Sequence, residues 1–251
     1  MQRLGLASSL YHRFNGLFPE VILSLLVTCG LNMASETGSA SRVKTEVSPL
    51  VRWAGFIGIA GVIIWWVTAT VLGFLWPTYS AVSDPISLLA AVGAPHAIIQ
   101  QLNFYTFGAS ILILSVGLFV WTDKGWRLLV GAPFLVVFGI GVIVAGFFQY
   151  NPNNLQATTS QYHNLASLVT FPTAILGVSL TSWGINHDER WPSYPNRFVP
   201  LGIAILAVSL LVVFMMSIQS PWEGLTQRLF LLVLTGWIAY HGYELWTLGR
   251  G

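Results

Sequence analysis

Residues Leu50–Trp76 read LVRWAGFIGIAGVIIWWVTATVLGFLW, an apolar run with a single charge, Arg52. At a rise of about 1.5 Å per residue, a helix of this length crosses the roughly 30 Å hydrocarbon layer of a bilayer. The chain around it has the same character. Its 251 residues are 55% hydrophobic and only 8% charged, where a soluble domain carries about 25% charge. The mean hydropathy is +0.70. A core of this size cannot hide so much apolar surface from water, so the solvent is lipid. The 11 Trp suit interfacial aromatic belts.

Working outward, five further segments are long enough to span: Ile98–Trp121, Leu128–Tyr150, Leu165–Ile185, Phe198–Ile218 and Leu229–Thr247. The expected fold is an all-α bundle of six transmembrane helices over residues 49–251. Short loops make successive helices antiparallel neighbours. Pro133, Pro172 and Pro200 lie in or near the segments, which membrane helices tolerate. Gly55, Gly58 and Gly61 in the first segment, and Gly131, Gly139, Gly141 and Gly146 in the third, predict close backbone approach.

Residues 1–48 read as a separate N-terminal extension. The apolar run Val21–Thr28 is too short to span. Three readings stay open: a natural start at Met33, an interfacial or targeting helix, and a cleaved signal segment. Cys29 is the only cysteine, which rules out an intrachain disulfide and a thiolate metal cluster. A net charge of +2 calls for no nucleic-acid partner.

Positive charge sets the orientation. Arg42, Lys44 and Arg52 precede the first span, Lys124 and Arg127 fill the second loop, Arg190 and Arg197 the fourth, and Arg250 ends the chain. The first and third loops carry no Lys or Arg, and the fifth has only Arg228. The expectation is a multi-pass protein of the cell membrane with both termini cytoplasmic and loops one, three and five outside.

Polar residues gather at that outer side. The first loop, WPTYSAVSDPISLLAAVGAPHAIIQQLN over Trp76–Asn103, contains Ser83, Asp84, Ser87 and His96. In Ser83-Asp84-Pro85, either of the first two residues can N-cap a helix, with Pro85 in its first turn. ISLLAAVGA would then form an interfacial or re-entrant helix. On such a helix Asp84 and Ser87 are i, i+3 and share a face. An acid and a hydroxyl there, joined by His163 at the outer end of the fourth span, compose a catalytic candidate set of Asp84, Ser87 and His163. No G-x-S-x-G elbow accompanies them. Ser83, His96, Asn151, Glu223 and Arg228 are the candidate binding residues around it. Arg228 runs against the charge asymmetry and carries a planar fork suited to phosphate. The plainer alternative for each is a cap or an interfacial anchor. His241 and Glu244, i, i+3 among Tyr240, Tyr243 and Trp246, read as an inner-interface belt. Gln100, Gln101 and Asn103 read as polar glue between helices. No nucleotide, haem or zinc motif is visible, so no cofactor and no metal site is expected.

Taken together, S-D-P-I-S-x-L followed by G-A-P after the first span, F-x-x-x-P before a lone His opening the fourth, and G-L-x-x-R opening the last resemble domain-of-unknown-function family 998. These are prokaryotic integral membrane proteins, and the resemblance covers about Leu50 to Leu248. Where the family commonly has an Asp after the aromatic pair in the third loop, this chain has Asn in FFQYNPNN, which speaks against an acid–base role there. The family is distantly similar to Frag1/DRAM-type membrane proteins, a likeness that concerns fold alone. Three functions stay open: binding or modifying lipid headgroups at the outward polar site, moving a small solute or ion, and serving as a non-enzymatic assembly factor. Membrane lipids are the expected partners, with a membrane-protein partner or a second copy of the chain also open.

Overall fold

The computed structural model describes residues 47–122, 125–191 and 221–248. The expected span at Phe198–Ile218 and nearly all of the N-terminal extension lie outside the described residues. Within them the chain forms five long helices and one short one, with no strand. These are α1 (Pro49–Leu75), a 3-10 helix (Ile86–Ala90), α2 (Ala97–Trp121), α3 (Trp126–Phe147), α4 (Thr158–Ile185) and α5 (Glu223–Thr247). The first four α-helices are long and apolar enough to cross a membrane. The protein is accordingly a multi-span membrane protein.

Local chemistry explains the ends of α1. Ser48 caps it, its hydroxyl accepting from the Leu50 amide at 3.3 Å, and Pro49 takes the first position, where a missing N–H is harmless. Pro77 pushes Trp76 into the extended region, and α1 stops there. In α4, Pro172 removes one backbone donor. The next residue, Thr173, also donates its hydroxyl to the Val169 carbonyl at 2.8 Å. α4 begins at Thr158, about two turns before the apolar run at Leu165, so His163 sits inside the helix.

The helices pack in sequence order, α1 on α2, α2 on α3 and α3 on α4, while α5 returns to lie along α1. Small residues make the closest crossings. A side chain on Gly55 would collide with the Gly242 backbone, and one on Gly108 with the Gly139 carbonyl. Among the described residues the core is mainly apolar but also buries Gln100, Asn103, Thr181 and His241, while Ile63, Val67, Phe74 and Leu168 are exposed. Asn103 Nδ2 donates to the Trp65 carbonyl at 3.2 Å, tying α2 to α1, and Trp237 Nε1 donates to Ser182 Oγ at 2.7 Å, tying α5 to α4. His241 is fully buried with its ring 4.1 Å from that of Trp237, so it belongs to the core and not to the interfacial belt expected for it.

Candidate functional site

The first and third loops and the start of α5 meet at one end of the bundle. The Val92 amide donates to the Tyr150 carbonyl at 2.9 Å and Gln149 Nε2 to the Ala90 carbonyl at 3.3 Å, joining the first and third loops. The Leu225 amide donates to the Val82 carbonyl at 2.9 Å, joining the first loop to the start of α5. Gly224 makes that seat possible, since any side chain there would strike the Asp84 backbone.

The helix in the first loop differs from the expectation. It has five residues, its cap position is Pro85, and no side chain caps it. Its leading amide is satisfied from far away: Ile86 N–H donates to Gln227 Oε1 of α5 at 2.7 Å. Ile86, Leu89 and Ala90 are buried, so the element is a plug in the bundle mouth. Asp84 lies before this helix, and the i, i+3 relation that would set it beside Ser87 does not operate. Its carboxylate turns back on its own loop, Oδ2 accepting from the Ser80 amide at 2.8 Å and Oδ1 from Ser83 Oγ at 3.2 Å.

Ser87 and His163 do come together. Both line a cavity of about 60 Å³ walled by Trp65, Phe104, Phe107 and Phe138, with Ser167, Thr170 and Gln227 supplying further polar groups. Asp84 is not among its lining residues. His163 is buried and held at one ring nitrogen: Nδ1 lies 2.8 Å from the Ala145 carbonyl and 2.9 Å from that of Phe148. Carbonyls only accept, so Nδ1 carries the hydrogen, and in the neutral ring Nε2 is left as an acceptor. Ser167 and Thr170 follow His163 by four and seven residues and share its helix face. That spacing is the signal by which the sequence could have nominated them.

The other candidates organise the mouth. Exposed His96 is the N-cap residue of α2, without a side-chain cap bond. Asn151 folds the third loop, its Oδ1 accepting from the Asn153 amide at 3.0 Å and its amide donating to Ser160 Oγ at 2.9 Å. Glu223 opens α5, where a carboxylate suits the helix dipole. Arg228 is a latch. Nη1 donates to the carbonyls of Ala81 at 2.7 Å, Asp84 at 2.9 Å and Gly224 at 3.0 Å, and Nη2 donates to the Tyr79 hydroxyl. The Tyr79 ring lies beneath the guanidinium, 5.5 Å away. Burial pushes the Tyr79 phenol above its ordinary value, and Arg228 acts in the opposite direction. Tyr79 and Arg228 also border a second hollow, a groove of about 230 Å³ along α1.

A family model described as a protein of unknown function (DUF998) matches residues 59–243. The chain belongs to that family. The DUF998 match runs from α1 into α5 and takes in the cavity, the groove and both latching residues, Gln227 and Arg228. It upholds the resemblance carried by the S-D-P-I-S and G-L-x-x-R stretches, but nothing in it extends to Frag1/DRAM-type proteins. No curated protein and no solved structure matches the chain.

Proposed function

We propose that this DUF998 protein binds the polar end of a membrane lipid in the cavity lined by Ser87 and His163. By the charge pattern, that end faces out of the cytoplasm. One observation carries the reading. His163 is fixed through Nδ1 to two carbonyls, which presets Nε2 as an acceptor, and it lines the same cavity as Ser87 and Ser167. Trp65, another wall, has an indole N–H with no acceptor among the described residues. Such a lining suits an uncharged hydroxyl or an amine. At about 10–15 Å³ per water, the cavity takes an end group of a few non-hydrogen atoms. Binding is favoured over hydrolysis because the carboxylate that would support His163 as a base is engaged elsewhere in the loop.

The test is the lipid content of the purified full chain, read by native mass spectrometry. His163→Asn keeps a donor for the two carbonyls and removes the Nε2 acceptor. It should reduce the retained lipid about five- to tenfold, the worth of one hydrogen bond. Wild-type lipid retention in this variant and in Ser87→Ala would defeat the reading.

A further inference from the structure

Arg228 has capacity that its latch does not use. A guanidinium carries five N–H groups. The two on Nη1 and one on Nη2 account for the three carbonyls and the Tyr79 hydroxyl. The Nε–H and the second Nη2–H have no partner among the described residues. No carboxylate there lies within ion-pair distance, and the one on Asp84 is turned to Ser80 and Ser83. A half-buried cation with spare donors and no ion pair favours an anion. The hollow it borders is otherwise mostly apolar and without another charge, formed by Trp66, Ala69, Thr70, Gly73 and Phe74 of α1 together with Tyr79, Ala81 and Ile86. The same helix exposes Ile63, Val67, Val71 and Phe74. That surface belongs to a span long and apolar enough to cross a membrane, so a groove along it suits an acyl chain.

We infer that this groove seats an anionic glycerophospholipid, its acyl chain along α1 from Trp66 to Phe74 and its phosphate on the Nε/Nη2 edge of Arg228. A zwitterionic lipid is a poorer occupant because its phosphate already has an ammonium beside it. The site is separate from the cavity of Ser87 and His163 and rests on different atoms.

The experiment uses the full chain in phosphatidylcholine vesicles containing a minor fraction of phosphatidylglycerol. A photoreactive acyl group is placed on one lipid or the other, and cross-links are mapped to the segment from Trp66 to Phe74. Phosphatidylglycerol should label it about fivefold more than phosphatidylcholine at equal mole fraction, the preference expected of one basic residue at a membrane surface. Thr70→Trp fills the groove from its exposed rim and removes no donor or acceptor of the latch, and should lower labelling to that of the exposed α2 face at Val116 and Val120. Arg228→Lys, a point charge without a fork, should keep part of the preference, and Arg228→Gln none. His163→Asn should leave the preference in place, so the two sites stand or fall separately. Equal labelling by both lipids, persistence of labelling in Thr70→Trp, or its loss to glycerol phosphate added in the water would each overturn the assignment.

Discussion

Two hollows meet at Ile86, which lines both. The inner one, about 60 Å³, is walled largely by aromatic rings and offers hydroxyls, an amide and one oriented imidazole. The outer one, about 230 Å³, offers a single guanidinium beside an apolar helix face. Consecutive residues of α5 serve them: Gln227 holds the amide of Ile86 and lines the inner hollow, and Arg228 holds three carbonyls and borders the outer. A neutral amide therefore shapes the side suited to a neutral group, and a cation shapes the side suited to an anion. In each case a side chain that latches the first loop also lines the hollow, so stability and binding are coupled at this end of the protein.

Breaking that comparison at its strongest point gives the largest expected effect. Arg228→Ala removes a charged donor from the carbonyls of Ala81, Asp84 and Gly224 and from Tyr79. Hydrogen bonds to charged groups are worth about 1.5–3 kcal/mol, and the loss here should total about 2–4 kcal/mol. The first loop would loosen and both hollows would open. Thermal unfolding should shift downward, and limited proteolysis should cut between Trp76 and Ala97. A wild-type cleavage pattern would show that the latch does not hold the loop.

Gln227→Ala separates the two. It leaves the Ile86 amide without its acceptor next to a buried side chain, at a cost of about 1–3 kcal/mol. The inner cavity should lose its lipid while phosphatidylglycerol labelling of α1 persists, because the Arg228 contacts remain. Gln227→Glu keeps an acceptor and should recover most of the stability. Equal losses at both sites would show that the 3-10 helix moves as one body with the latch.

How far the sequence announces these features follows from their range. The spans are legible because hydropathy is a local property: α1 runs Pro49–Leu75 against an expected Leu50–Trp76, and α2 Ala97–Trp121 against Ile98–Trp121. The start of α4 is not. Its first turns are polar and are held by the third loop through Ser160, which is fully buried and donates to the Asn154 carbonyl at 3.1 Å; hydropathy marks only where lipid contact begins. The cap in the first loop is misread for a related reason. Ser83 and Asp84 are good local caps, yet the amide of Ile86 is satisfied by a residue 141 positions away, which no local pattern reveals. His163 is legible as a lone histidine, and its fixed tautomer is not, since that depends on the carbonyls at the end of α3. Arg228 stands out as a misplaced charge, whereas its three carbonyl partners become visible only once the loop is folded against α5.

The smallest effect touches only the outer hollow. Tyr79 accepts from Arg228 and donates to the carbonyls of Asp84 and Pro85 at 3.2 Å. Tyr79→Phe should cost about 0.5–1.5 kcal/mol and leave inner-cavity lipid unchanged. Its sharper signature is in pH. Burial raises the phenol of the folded protein above its ordinary value of 10.0. Above about pH 10 the unfolded chain therefore releases this proton first, while the folded chain still holds it. The contribution of Tyr79 is pH-independent below that point and declines as pH rises through the folded value. Stability curves of wild type and Tyr79→Phe, measured from about pH 8 to about pH 11, should run parallel at first and converge at the alkaline end. Parallel curves throughout would mean that folding does not raise the phenol.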